Sequence, residues 1–188
     1  LLHDAAYTEV TYDGYVAPSV LQVKGAMDIA MEFHSLSKTA NMTGWRVGFA
    51  SGNPEMVNAL MRVKSNIDSG LSQANQEMGI AALDLPSEWV ENNNAVYQKR
   101  RDKVVSVLNE IGVPAVAPKG ALYIWTPIPE GYTSAEFAQK LLDEVNVVVT
   151  PGNGYGPGGE GYIRLSLTIP DDQIDEGLRR LAQLRVNS

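Results

Sequence analysis

Lys38 stands in Ser35-Leu36-Ser37-Lys38-Thr39, and Arg46 follows eight residues later in Gly44-Trp45-Arg46-Val47-Gly48. An amine, two neighbouring hydroxyls and an arginine a short loop away suit a cofactor that carries both an aldehyde and a phosphate. A guanidinium can bind phosphate bidentately and the hydroxyls of Ser35 and Ser37 can donate to it, which would leave the amine free for Schiff-base chemistry; taken singly, Arg46 could form a structural salt bridge and the serines could cap a turn. This set points to pyridoxal 5'-phosphate (PLP). A lysine taken alone is a surface residue by default. Phe33 and Leu36 beside it indicate that the stretch dips into the protein, where a lysine drawn out of water becomes a usable nucleophile.

Three further residues could serve the same chemistry. Asp4 and Tyr7 lie three residues apart at an expected strand end. A carboxylate near a pyridinium nitrogen keeps it protonated and makes the ring an electron sink, and a phenol can hydrogen-bond the ring oxygen. Taken singly, Asp and Tyr at this spacing are turn or cap residues. Arg164 in Tyr162-Ile163-Arg164-Leu165-Ser166 could clamp a carboxylate, or be a solvated edge arginine. His3 and His34 read as packing or supporting residues rather than catalysts, His34 being the nearer to the lysine loop. The run Gly152-Asn153-Gly154-Tyr155-Gly156-Pro157-Gly158-Gly159 is not a dinucleotide fingerprint, since it connects two expected strands instead of leading from a strand into a helix.

The elements that must position these residues follow from pattern. Met31 to His34 reads as a short strand into the lysine loop, and Val47 to Gly52 as a strand ended by a glycine turn. Pro54 opens a helix with Met56, Leu60 and Val63 as its apolar stripe. Polar Ser65 to Gly70 breaks it, and Gln73 to Leu83 forms the next. Ser87 caps a long helix after Pro86, with Trp89, Asn93, Val96, Tyr97, Arg100, Val104, Val107, Leu108 and Ile111 at three- and four-residue steps, ended by Gly112 and Pro114. Its roughly 25 residues, about 40 Å, suit a bridge between two lobes. Beyond it, Ala121 to Thr126 reads as a strand, Thr133 to Glu136 as a capping box opening a helix with Phe137, Leu141 and Leu142, and Val145 to Thr150 as a strand. Tyr162 to Thr168 alternates, with Ile163, Leu165 and Leu167 on one face and Arg164 on the other. Asp171 caps a last helix carrying Ile174, Leu178, Leu181 and Leu184.

Composition narrows the class. The 188 residues make one to one and a half domains by the usual prior of about 150 per domain, and 44 % hydrophobic residues suffice for a core. The absence of cysteine excludes disulfides and thiolate zinc sites. A net charge of −7 argues against nucleic-acid binding through a basic surface. No apolar run approaches the roughly 18 residues a membrane span requires, and no signal peptide is evident, so a soluble cytoplasmic protein is expected. The chain opens on Leu1-Leu2-His3-Asp4-Ala5-Ala6-Tyr7, which reads as the end of a buried strand whose sheet partners are missing, so a fragment of a longer protein is expected.

Asp4-x-x-Tyr7, Ser35-x-Ser37-Lys38, Arg46 and Arg164 in Tyr-Ile-Arg-Leu-Ser occur in this order across the whole chain. The set resembles the fold-type I PLP-dependent aminotransferases of classes I and II. His3-Asp4-Ala5-Ala6-Tyr7, Phe33 to Thr39, Asn41 to Arg46, Lys64 to Gly70 and Val149 to Gly152 are most similar to the LL-diaminopimelate aminotransferases within it. The resemblance implies an α/β fold: residues 1–85 as part of the large PLP-binding domain, with a mixed sheet and helices, 86–112 as the interdomain helix, and 113–188 as a small C-terminal α/β domain. It implies that Lys38 forms the Schiff base and shuttles the proton, that Asp4 pairs with the pyridinium and Tyr7 with the ring hydroxyl, that Ser35 and Arg46 hold the phosphate with Ser37 nearby, and that Arg164 binds the substrate α-carboxylate. Amino-acid and 2-oxo-acid substrates, LL-2,6-diaminopimelate and 2-oxoglutarate among them, a homodimer and a place in lysine biosynthesis are implied with it. Family members are longer, so the remaining pocket walls are expected from an N-terminal part, and these residues alone are expected to bind PLP weakly. A PLP-dependent lyase or decarboxylase of the same fold, or the PLP-binding domain of a transcriptional regulator, would share Lys38, Arg46 and Asp4.

Overall fold

Leu2–Asp4 (β1), Met31–Ser35 (β2) and Gly48–Gly52 (β3) form a mixed sheet in the order β1-β2-β3 in the computed structural model, which describes residues 1–184. β1 runs parallel to β2, pairing His3 with Glu32 and Asp4 with Phe33. β3 runs antiparallel to β2, pairing Ser35 with Gly48 and Met31 with Gly52. The parallel pair therefore brings Asp4 and Ser35, the C-terminal residues of β1 and β2, to the same end of the sheet. That end is where open α/β sheets bind ligands. A Cβ on Gly48 would come within 2.7 Å of the His34 carbonyl oxygen, so the close approach of β3 to β2 requires glycine there. β1 lies at the edge of this three-stranded sheet, and Leu1 and Leu2 are each 64 % exposed.

From the end of β2 the chain enters a one-turn helix, Leu36–Thr39 (α1), and returns to β3 through a 3-10 turn, Thr43–Trp45. Leu36, Met42 and Val47 bury together beneath this loop, with Ala40, Leu71 and Ala82 against them. Pro54–Lys64 (α2) begins as expected, with the Asn53 side chain accepting from the Met56 amide at 3.0 Å. Its apolar stripe is displaced: Val63 is exposed, and Val57, Leu60 and Met61 face a groove shared with Phe33 and Phe49. No side chain of α2 is buried. Gln73–Leu83 (α3) buries only Gly79, which backs onto Val47 and Leu36.

The chain divides into two compact units between Asn94 and Ala95, inside the helix Ser87–Glu110 (α4). Tyr97, Arg101, Val104 and Leu108 form its buried face. Asn93 and Arg100, the polar members of the expected stripe, are only partly buried, and the buried arginine is Arg101. Its Nη1 donates to the Pro118 carbonyl at 2.9 Å, and its guanidinium pairs with Asp102. Gly112, at φ +86, takes the left-handed conformation that ends the helix.

The second unit holds the larger core. Tyr123–Pro127 (β4), Thr150–Pro151 (β5) and Tyr162–Ser166 (β6) form an antiparallel sheet in the order β4-β6-β5. Ile124, Ile163 and Leu165 point inward. Ser134–Val145 (α5) has the expected capping box, Thr133 and Glu136 satisfying one another's amides. Phe137, Leu141 and Val145 are its buried face, while Leu142 is 41 % exposed, against expectation. Burying each such side chain contributes about 2 kcal/mol.

The strand expected over Val145 to Thr150 is corrected. Asn146 adopts φ +52, and the Val147 amide turns back to the Leu141 carbonyl, so the valine run closes a helix and only Thr150–Pro151 pairs. The expected strand at Ala121 begins at Tyr123, because Ala121 lies at φ +66. Asp171–Leu181 (α6) buries Ile174, Leu178 and Leu181, with Leu184 buried just beyond. Asp171 is not its cap; its carboxylate accepts from Arg100 Nε at 2.6 Å. Among the described residues no helix is long and apolar enough to cross a membrane.

Candidate functional site

Lys38 is half-buried on α1, and its Nζ lies 5.6 Å from the centre of the Tyr7 ring. Among the described residues the amine has no hydrogen-bond or ion-pair partner. The short strand-to-helix turn aims it: Ser35 ends β2 in extended backbone, and α1 begins at the next residue. The Leu36 amide then donates to the Val47 carbonyl at 3.1 Å, which draws the return of the loop, and with it Arg46, alongside the lysine turn. Thr43 Oγ1 donates to the Ser37 carbonyl at 3.1 Å and closes the loop from inside. From α3, Asn75 donates to the Trp45 carbonyl at 3.1 Å.

Arg46 sits at φ +56, a left-handed conformation that a non-glycine residue holds only at an energetic cost. Its guanidinium is exposed, with Nη1 donating to the Thr43 carbonyl at 3.0 Å and the other donors uncommitted. Ser35 and Ser37 make no side-chain hydrogen bond among the described residues, and Ser37 is buried. Asp4 is exposed at the end of β1, and the Ala5 amide next to it donates to the Phe33 carbonyl at 2.8 Å. Asp4, Tyr7, Ser35, Ser37, Lys38 and Arg46 thus all belong to the first unit, at one end of its sheet. Uncommitted amine, hydroxyl, guanidinium and carboxylate groups gathered there can take up an aldehyde-bearing phosphate.

Arg164 belongs to the second unit, on the outward face of β6 opposite Trp125. Its guanidinium lies 4.1 Å from the centre of the Tyr123 ring and 4.6 Å from that of Tyr155.

Sequence reasoning missed Glu32. It is 2 % exposed in the middle of β2. Its Oε1 accepts from Ser19 Oγ at 2.8 Å and from the Val20 amide at 2.7 Å, and pairs with His3 Nδ1 at 2.8 Å. Its Oε2 pairs with His34 Nε2 at 3.2 Å. Burial pushes the carboxyl up, but the hydrogen bonds from His3, Ser19, Val20 and His34 outweigh it and hold it at about 2, against an ordinary 4.5. His34 also stacks on Phe49, ring centres 4.9 Å apart. The two histidines therefore hold the centre of the sheet whose end carries Lys38. A carboxylate between apolar Met31 and Phe33, flanked by a histidine, was the available signal. Among the described residues no cluster of three or more His, Asp or Glu is placed to hold a metal ion.

A family model described as aminotransferase class I and II matches residues 1–181. The LL-diaminopimelate aminotransferase of Dehalococcoides mccartyi is 56 % identical over 186 residues, covering 99 % of this chain and 48 % of that protein. That of Moorella thermoacetica is 52 % identical over 182 residues, covering 97 % and 47 %. A solved aminotransferase from Staphylococcus aureus superposes with a TM-score of 0.90 at 38 % identity, over 98 % of this chain and 49 % of that one. A probable N-succinyldiaminopimelate aminotransferase from Thermus thermophilus does so with a TM-score of 0.90 at 36 % identity, over 97 % and 49 %. The chain spans about half the length of the curated relatives it matches.

Proposed function

The chain belongs to the class I and II aminotransferase family, and from that premise we propose that it serves amino-group transfer between an amino acid and a 2-oxo acid with PLP as cofactor. The observation that carries this reading is the Lys38 amine, half-buried at the end of a sheet and without a partner among the described residues. The residues around it fit PLP: an uncommitted amine for the aldehyde, Arg46, Ser35 and Ser37 for the phosphate, and the free carboxylate of Asp4 for the ring nitrogen. When bound, PLP supplies the carbonyl that amines add to and a ring that draws electrons from the substrate α-carbon. Lys38 Nζ accepts the proton released at that carbon and later gives it back. Arg46 and the two serine hydroxyls hold the phosphate through charge-assisted hydrogen bonds. Asp4 keeps the ring nitrogen protonated, the Tyr7 hydroxyl donates to the ring oxygen, and Arg164 receives the substrate α-carboxylate.

The names of the relatives support LL-2,6-diaminopimelate as amino donor; 2-oxoglutarate is the proposed acceptor, with a role in lysine biosynthesis, in the cytoplasm and as a homodimer. The test has two parts. Adding PLP to the protein should produce a visible absorbance band that Lys38→Ala removes; an unchanged band in that variant overturns the role of Lys38. In the full-length protein, glutamate should form from 2-oxoglutarate in the presence of LL-2,6-diaminopimelate and PLP. In the full-length protein, a lysine-dependent band without glutamate formation from any amino donor rejects transfer and favours a lyase.

A further inference from the structure

The described arginines of the second unit are committed in two different ways. Arg100 pairs with Asp171, Arg101 with Asp102, and Arg179 and Arg180 with Glu176. Arg164 has no hydrogen-bond or ion-pair partner among the described residues; what holds it is the faces of Tyr123 and Tyr155. The difference is chemical. An ion pair orients a guanidinium by occupying its N–H edge and offsetting its charge, whereas a ring face attracts the cation and leaves the in-plane donors open.

The rings are themselves held. Tyr155 ends a 3-10 turn, Gly152–Tyr155, whose backbone passes so close to Gly159 that a Cβ on either Gly152 or Gly159 would fall within 3.0 Å of the other's carbonyl oxygen. Two glycines thus fix where the Tyr155 loop lies. Trp125 meets the Tyr155 ring edge-on at 5.7 Å and stacks on Tyr162 at 5.4 Å and 16°. Tyr123, Trp125, Tyr162 and Arg164 all stand on the outward face of the β4-β6 pair, with Trp125 directly opposite Arg164. This aromatic row is half-exposed in a unit whose other apolar side chains mostly face the core.

We propose that Tyr123 and Tyr155 are positioning residues that fix the plane of the Arg164 guanidinium, so that its open N–H edge receives the carboxylate of an amino acid or 2-oxo acid, and that Trp125 holds Tyr155 in that pose. The proposal rests on the reading of Arg164 as the carboxylate site. It assigns the tyrosine rings, not their hydroxyls, as what matters.

The experiment follows the Arg164 Nε–H signal in nitrogen-15 spectra of the full chain, identified by its loss in Arg164→Lys, with 2-oxoglutarate as the probe. Tyr123→Leu and Tyr155→Leu should each move this signal out of the ring-current field and weaken 2-oxoglutarate binding by about fivefold. Tyr123→Phe and Tyr155→Phe should leave both unchanged, and Trp125→Leu should shift the signal by an intermediate amount. Backbone amide spectra establish that each variant is folded; if Tyr123→Leu is not, Tyr155→Leu decides alone, since its ring is 49 % exposed. Leucine variants that bind 2-oxoglutarate as the wild type does, while Arg164→Lys does not, overturn the positioning role and leave the carboxylate site standing. Equal binding by the wild type and Arg164→Lys overturns the carboxylate reading and the proposal with it.

Discussion

Two residues near Lys38 separate function from stability. Arg46 holds a left-handed backbone, which glycine adopts without penalty. Arg46→Gly should therefore keep the urea midpoint unchanged or raise it, within about 1 kcal/mol, while PLP binding weakens at least tenfold; a clear loss of stability would show that the side chain is structural. Glu32 is the opposite case. Its folded-state value of about 2 lies below the ordinary 4.5, so its contribution is fully present above pH 4.5 and is lost as the pH falls toward 2. The shift corresponds to about 3 kcal/mol. Wild type should exceed Glu32→Gln in stability at pH 7, with the gap closing between pH 4.5 and 2. Urea unfolding at both ends of that range checks this, and a gap that does not depend on pH would reject the carboxylate as its source.

At the scale of elements, α3 supports the lysine loop through a glycine. A Cβ at Gly79 would lie 3.2 Å from Val47 Cγ1 and 3.7 Å from Leu36 Cδ1. Gly79→Ala should be nearly neutral, the better helix propensity of about 1 kcal/mol offsetting the tight contact. Gly79→Leu should cost about 1–3 kcal/mol by overpacking and weaken PLP binding, because the side chains it displaces lie under α1 and the Arg46 return. Unfolding and PLP titration of both variants measure this; equal behaviour would mean that α3 does not brace the loop. Gly79 was not legible in the sequence, where a glycine inside a helix marks only lower propensity. Elements with local signals were legible: the Thr133–Glu136 box opens α5 and Gly112 closes α4 where expected. The valine run after α5 misled because β-branched residues favour strands, while the Asn146 turn that ends the helix depends on backbone geometry that composition does not carry. Lys38, Ser35, Ser37 and Arg46 were readable together because one loop carries all four. The ring contacts of Arg164 were not, since Tyr123 comes from another strand and Tyr155 from a loop.

At the scale of the whole chain, the two units bury different amounts of apolar side chain among the described residues. The second encloses Leu108, Ile124, Phe137, Leu141, Ile163 and Leu167 almost completely. In the first, α2 buries no side chain and α3 only Gly79, while Met61, Val63, Ile67, Ile80 and Leu83 are exposed. The first unit should unfold at lower urea than the second. Trp125 alone, in a Trp45→Phe/Trp89→Phe variant, reports on the second unit, and Trp45 and Trp89, in Trp125→Phe, report on the first. Coincident transitions would reject separate stabilities. The boundary between the units carries its own consequence, because it falls within the unbroken hydrogen-bonded backbone of α4. A protease needs an extended segment to enter its cleft, and none is offered at Asn94–Ala95. Limited digestion should open the chain in the stretch 65–72 between α2 and α3 before it releases either unit as a separate piece.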